Sequence, residues 1–275
     1  MPELDPKDPT LKTLSGLHLW HAPMSSCSQR VRIVLAELDR GYESHLVDLA
    51  KDEHASEAYQ RIHPNGLVPA LVEDGRLFIE SIDIIRHLAA DQPELGAASD
   101  NELLTMADEA QKDLKLLSFE FLFRSRPAPE KAEADAFQNA HKNDWLKQFR
   151  TDFATGFPPE RINDAIRRTD EGFQTLNERL SDGCDFLSGA DFTISDVAWM
   201  PNVHRMRLMD WPFEHLAQLE RWFARVSERA SYSLGLMDWQ GGGVAGSFAD
   251  YTAQRRGAGT GVRSFPHFSK TSVSS

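Results

Sequence analysis

LHLWHAPMSSCSQRVRIVLAEL, residues Leu17 to Leu38, decides how the chain begins to fold. Leu17–Pro23 reads as a short strand with a turn at its end. From Ser25 the period changes: Val31, Val34, Leu35 and Leu38 fall at i, i+3, i+4 and i+7, one apolar stripe of a helix. Working outward, SHLVDLA (Ser44–Ala50) suits a second strand. LVPALV (Leu67–Val72) and LFIES (Leu77–Ser81) suit two more, and the Asp74-Gly75 pair between them is a hairpin signal. IDIIRHLAA (Ile82–Ala90) closes the unit as a helix. Strand, helix, strand, an irregular or helical stretch, strand, strand and helix make an α/β domain over residues 15–93.

Beyond Asn101 the helical period dominates. Leu103–Phe123, Ala132–Phe153, Glu160–Leu180, Ile194–Met209 and Leu216–Arg229 are five expected helices, so residues 100–240 form an all-helical second domain. Residues 1–14, rich in Pro and Asp without periodicity, read as a flexible arm. Residues 241–275 are Gly-, Ser- and Thr-rich and carry bases but no acid after Tyr251, which reads as a flexible tail. The competing reading is an arm packed over the domain interface through Phe248, Tyr251, Phe265 and Phe268.

Composition sets the outer limits. The chain has 275 residues, 41% hydrophobic and 26% charged, enough for two modest packed domains. No apolar run approaches the roughly 18–20 residues of a membrane span, and the first residues lack the pattern of a signal peptide. The net charge of −12 argues against a nucleic-acid partner. Two cysteines, Cys27 and Cys184, exclude a disulfide scaffold and a four-cysteine zinc site; no metal is expected, and a reducing cytoplasm suits the chain.

Three segments carry chemistry. Ser25, Ser26 and Cys27 lie where a strand feeds a helix, and a helix N-terminus favours an anion such as a thiolate, supplied by Cys27 or by a bound thiol that receives a serine proton. The simpler alternative is a serine that only caps the helix. Val68–Pro69 opens a strand; a cis bond there would turn the Val68 backbone toward an extended, peptide-like ligand, and an ordinary trans proline is the alternative. Glu80 and Ser81 lie at a strand end directly before a helix, able to hold both ends of an amino-acid zwitterion or merely to cap. Thr193–Asp196 reads as a capping box with Asp in place of Glu.

Together, Ser-Ser-Cys-Ser-x-Arg-Val-Arg-Ile, His-Pro-Asn-Gly-Leu-Val-Pro-Ala-Leu and Glu-Ser-Ile-Asp-Ile-Ile resemble the cytosolic glutathione transferases. The first of these is most similar to the zeta class, which includes maleylacetoacetate isomerase. The resemblance implies a thioredoxin-like N-terminal domain followed by an all-helical C-terminal domain, with glutathione as cosubstrate. It implies that Ser25 donates to the glutathione sulfur, with Ser26 and Cys27 lining the pocket. Val68, before a cis Pro69, would pair with the cysteinyl unit. Glu80 and Ser81 would hold the γ-glutamyl end, and His54 would approach the glycine carboxylate. It also implies a homodimer, or a heterodimer with a close relative. Leu67 departs from the Gln or Lys of many relatives. The extra length, around residues 127–162 and in the tail, is similar in layout to the bacterial glutathione-dependent β-aryl etherases that cleave lignin.

The expected activity is therefore attack of a serine-stabilised glutathione thiolate on a small hydrophobic, aromatic electrophile, by conjugation or β-aryl ether cleavage. Maleylacetoacetate-type isomerisation is a second reading, and a non-catalytic binding or stress protein a third. Chemistry on Cys27 itself ranks lower, since it has no CxxC partner. Lys115 is the only base in Leu114–Phe123, which argues for an aromatic rather than a diacid substrate.

Overall fold

The computed structural model describes residues 3–96, 99–125 and 129–269. Among them, β1 (Glu3–Leu4), β2 (Leu17–His21), β3 (Glu43–Leu46), β4 (Ala70–Glu73) and β5 (Arg76–Ile79) form one sheet in the order β1-β5-β4-β2-β3. β2 runs parallel to β3 and antiparallel to β4. Asp74 and Gly75 both take positive φ, 47° and 80°, the backbone that a two-residue hairpin with native twist demands. β4 starts one residue after Pro69, which has no N–H to give a ladder. β3 ends at Leu46 rather than Ala50, because the Asp48 carboxylate accepts the Ala50 and Lys51 N–H groups and turns the chain out of the sheet.

Alternation along the strands divides the domain into two cores. Leu17, Leu19, Leu71 and Phe78 face α1 (Ser26–Glu37) and α3 (Ser81–Leu88), whose Val31, Val34, Ile84 and Ile85 are fully buried. Ala70, Val72, Leu77 and Ile79 face the opposite side, where Leu11 and the end of α2 (Glu57–Ile62) cover them. The expected flexible arm is thus corrected. Glu3 and Leu4 pair with Phe78 and Leu77, and Leu11 is 3% exposed in a 3₁₀ turn capped by Asp8. A two-residue strand carries no period to read.

The second domain contains α4 (Pro93–Gly96), α5 (Asn101–Glu109), α6 (Gln111–Ser118), α7 (Lys131–Ala140), α8 (Asp144–Thr155), α9 (Pro159–Arg179), α10 (Ile194–Arg207), α11 (Ala217–Ser227), α12 (Ala230–Gly235), α13 (Val244–Gly257) and α14 (Pro266–Ser269). The single helix expected over 132–153 is two. The Asn143 side chain caps α8 by accepting the Leu146 N–H, and His141 Nδ1 accepts the Asn143 N–H. The helix expected over 103–123 bends at Ala110 and ends in a wide π turn, Phe119–Phe123. Residues 126–128, inside the stretch read as extra length, lie outside the described residues. Thr193 and Asp196 form the expected capping box at the start of α10, and Asp196 also accepts the Trp222 indole N–H at 2.7 Å.

Three buried arginines hold the domains together. Arg30 donates to the carbonyls of Ala198 and Ala107 and to Ser81 Oγ. Arg32 donates to the carbonyls of Gly235, Ala22 and Pro23. Arg205 of α10 donates to the Met24 carbonyl. α12 packs on α1 so closely that a Cβ at Gly235 would stand 2.6 Å from the Ile33 nitrogen.

The expected flexible tail is also corrected as far as Ser269. Phe248 is 6% exposed beside Phe123, Phe265 meets the edge of Phe121, and Phe268 meets Trp211. Tyr251 is half-buried, and Arg255 pairs with Glu120 at 3.0 Å. These contacts lie on the helical domain, not over the interface between domains. Residues 270–275 lie outside the described residues. No described helix is long and apolar enough to cross a membrane.

Candidate functional site

Ser25 is the N-cap of α1, and its Oγ accepts the Ser28 N–H at 3.2 Å. Capping uses an oxygen lone pair, so the hydroxyl proton stays available to a further acceptor. The two neighbouring groups are committed elsewhere. Ser26 Oγ donates to Gln111 Oε1 at 2.6 Å, and Cys27 Sγ lies 3.6 Å from the same oxygen. Gln111 in turn donates to Asn202 Oδ1 on α10 at 2.8 Å. Below this turn, Arg32 and Arg205 bind the carbonyls of Ala22, Pro23 and Met24. The helix N-terminus and two buried cations therefore favour negative charge beside Ser25.

The Val68–Pro69 bond is cis. Among the described residues the Val68 backbone N–H and C=O have no hydrogen-bond partner, so both remain for an extended ligand. Glu80 adopts φ 65° at the entry to α3 and is exposed. Desolvation first, then the charges of Asp108 and Asp83, raise its carboxyl above the usual carboxylate range, while a hydrogen bond from Asn65 opposes them. Carboxylates crowded in this way favour an ammonium group. Ser81 is buried and its Oγ accepts from Arg30 at 3.1 Å, which places a cation behind the first turn of α3. Ser25, Val68, Pro69, Glu80 and Ser81 thus offer donors for a sulfur, a backbone for a peptide and charges for an amino-acid end.

His54 stands apart from the role that the resemblance implied. It is 8% exposed, its ring centroid lies 5.7 Å from Phe137 and 5.4 Å from His141, and its Nδ1 has no partner among the described residues. Burial foremost, helped by His141, Lys115 and Arg150, pushes its pKa down to about 3, so at neutral pH the ring carries no positive charge to offer a carboxylate. The α7–α8 hairpin covers it. Gln60 donates to the Ala140 carbonyl at 2.9 Å and accepts the Lys142 N–H, His141 Nε2 lies 3.2 Å from the Gly66 carbonyl, and Arg150 pairs with Asp52.

Lys115 on α6 faces the same region. Its ammonium lies 5.8 Å from the rings of Phe119 and Trp145 and 5.5 Å from Phe149. Desolvation lowers its pKa to about 8, partly opposed by the nearby Cys27. Gln111, Asn202 and Asp108 had no signal in the sequence, because only the docking of the domains brings them to the site. Phe121, Trp199, Met200, Met206 and Met209 are buried. A cavity of about 630 Å³ lies wholly in the helical domain, lined by Leu114, Trp145, Phe173 and Trp199 among others, and includes none of Ser25, Val68 or Glu80.

Residues 19–96 match the family model of the glutathione S-transferase N-terminal domain, and residues 159–225 that of the C-terminal domain. The chain is 24% identical over 242 residues to glutathione S-transferase TCHQD of Arabidopsis thaliana, covering 78% of this chain and 88% of that one. A 71-residue segment is 42% identical to a probable maleylacetoacetate isomerase of Caenorhabditis elegans, 26% of this chain and 33% of that protein. The crystal structure of the β-etherase LigF from Sphingobium sp. strain SYK-6 has the same fold, with a TM-score of 0.68 at 21% identity over 80% of this chain and 98% of that one. A thioredoxin-like sheet domain docked on a helical domain, with both family models matched in order, places the chain in the cytosolic glutathione transferase family, whose members use glutathione as cosubstrate.

Proposed function

We propose that this chain is a serine-type glutathione transferase in which Ser25 donates its hydroxyl proton to the glutathione sulfur. The observation that carries the reading is the division of labour at the turn. Ser26 and Cys27 are engaged with Gln111, whereas Ser25 keeps an uncommitted proton at the helix N-terminus. A free thiol near pKa 8.5 is mostly protonated at pH 7, and the donor plus the helix terminus stabilise the thiolate. Val68 pairs with the cysteinyl backbone, Glu80 with Asp108 takes the γ-glutamyl ammonium, and the start of α3 at Ser81 takes its carboxylate. The thiol proton leaves to solvent, the sulfur lone pair forms the new C–S bond, and the leaving group departs with its bonding electrons. An aryloxide is such a leaving group. Retention of these groups opposes the non-catalytic reading.

Ser25→Ala should lower turnover roughly 10–1000-fold, the scale of one lost positioned donor, with smaller effect on retention by a glutathione resin. A crippling Ser26→Ala beside a harmless Ser25→Ala would overturn the assignment.

The substrate proposed is a small aromatic electrophile, since Phe119, Trp145 and Phe149 surround Lys115 beside Cys27. A maleylacetoacetate-type isomerisation is the second reading. It is favoured by the 42% identical segment and by the Lys115 ammonium, which would suit a carboxylate arm. Thiol consumption with a haloarene, a β-aryl ether and a maleyl compound decides. Isomer turnover without glutathione loss, and none on either aryl compound, would reverse the order. The chain is further proposed to act in the cytoplasm as a homodimer or as a heterodimer with a close relative, and a monomeric mass at micromolar concentration would refute that assembly.

A further inference from the structure

A second cluster of chemistry-bearing side chains lies on the sheet face away from α1. The parallel register sets His18 beside Glu43 and Trp20 beside His45, so all four side chains emerge on one face at the sheet's β3 edge. His18 Nδ1 lies 3.1 Å from His45 Nε2 and 3.5 Å from Glu43 Oε2, and His45 Nε2 lies 3.7 Å from Glu43 Oε1. Two ligand atoms each about 2.0–2.2 Å from a tetrahedral zinc ion are about 3.3–3.6 Å apart; the two histidine nitrogens stand near that spacing, and one donor atom from each of the three residues lies within 4.8 Å of the other two.

The supporting groups are in place as well. His18 Nε2 faces the Ser15 carbonyl at 3.2 Å, which fixes its proton on Nε2 and leaves the Nδ1 lone pair pointing into the cluster. The His45 ring stacks on Trp20 at 4.2 Å and 11°, which holds its plane. Without metal, His45 Nε2 must carry the hydrogen of the His18–His45 contact. With metal, that proton moves to His45 Nδ1 and the lone pair on Nε2 becomes a ligand. His18 is buried, His45 half-buried and Glu43 exposed, so the fourth position opens to water.

We propose that His18, His45 and Glu43 bind one divalent transition-metal ion of the zinc type, clipping the edge strand β3 to β2. Two nitrogens and a carboxylate suit zinc, cobalt, nickel or copper better than magnesium or calcium. The sequence shows no ligand spacing for such a site, since His18 and His45 meet only through strand pairing.

The test uses the full chain, free of any affinity tag, titrated with cobalt(II) and zinc(II). One equivalent should bind saturably, the cobalt spectrum should show four-coordinate d–d bands without a thiolate charge-transfer band, and zinc should raise the melting temperature. His45→Gln and the milder Glu43→Gln should each weaken binding by more than the roughly 10–100-fold that loss of an outer partner costs, and erase the melting shift. Glu43 is exposed, so its variant keeps the test sound if His45→Gln folds poorly. No saturable uptake at one equivalent, a thiolate band from Cys27 or Cys184, or a melting shift that survives both substitutions would overturn the site.

Discussion

The sheet domain has two rims at the interface, and the helical domain treats them differently. At one rim Ser25, Val68 and Glu80 stay uncovered; the helical domain grips the backbone behind them, through Arg205 to Met24 and through the carbonyls that receive Arg30 and Arg32, and sets Gln111 against Ser26 and Cys27 beside them. At the other rim α7 and α8 lie directly on residues 52–66 and enclose His54. Both rims carry residues that resemble a glutathione site. Only the first leaves them uncovered, so the partner domain sets which part of the motif is accessible.

The largest expected effect lies behind the open rim. Arg30→Ala removes three hydrogen bonds from a fully buried guanidinium and should cost about 3–5 kcal/mol in chemical denaturation. A loss under about 1 kcal/mol would mean that the docking does not depend on it.

Acid sharpens the comparison next. Burial depresses His21, His54 and His204 to about 3 and His63 to about 4 from an ordinary value of 6.5. The unfolded chain therefore binds more protons than the folded one between those values. Stability should fall as pH drops from about 6.5 toward 4, by up to roughly 1.4 kcal/mol per pH unit for each such histidine. Denaturant midpoints across that range measure the slope, and a flat profile would show the histidines to be solvated. Carboxylates held low by arginine, such as Glu37 beside Arg229, lose their contribution only as pH falls further, below about 4.5.

The smallest effect is the most discriminating. His54→Leu should leave the glutathione KM within about twofold and remove one proton from the acid slope, because a buried imidazole whose Nδ1 has no partner among the described residues gives way to an apolar side chain. A tenfold rise in KM would mean that the hairpin opens in solution and that His54 reaches the glycine carboxylate.

What could be read from the sequence was local. The strand–turn–helix at Leu17–Leu38, the Asp74-Gly75 hairpin and the Thr193–Asp196 box each hold their information within a few residues, and each appears in the structure. The break at His141 carried a legible cap in Asn143, hidden within an otherwise helical pattern. The rest depends on contacts far apart in the chain. Leu4 finds its strand 73 residues away, at Leu77. Phe248 finds its cover on the π turn, and His54 is covered by Phe137, 83 residues downstream. Lys115 was visible as a residue, but its aromatic surroundings arise from the turn of α8 back over α6.

The three interdomain arginines grip mostly main-chain oxygens: Ala198, Ala107 and Gly235 on the helical side, and Ala22, Pro23 and Met24 on the sheet side. Every amino acid presents a carbonyl, so the side chains at most of these acceptor positions are free to change while the grip persists. The joint reads the path of the backbone rather than its lettering. A helical domain grafted from a distant relative should dock and keep the serine turn in place wherever it returns those carbonyls to within hydrogen-bond reach. Grafts should fail through small shifts in helix placement, above all at Gly235, where no side chain fits against Ile33.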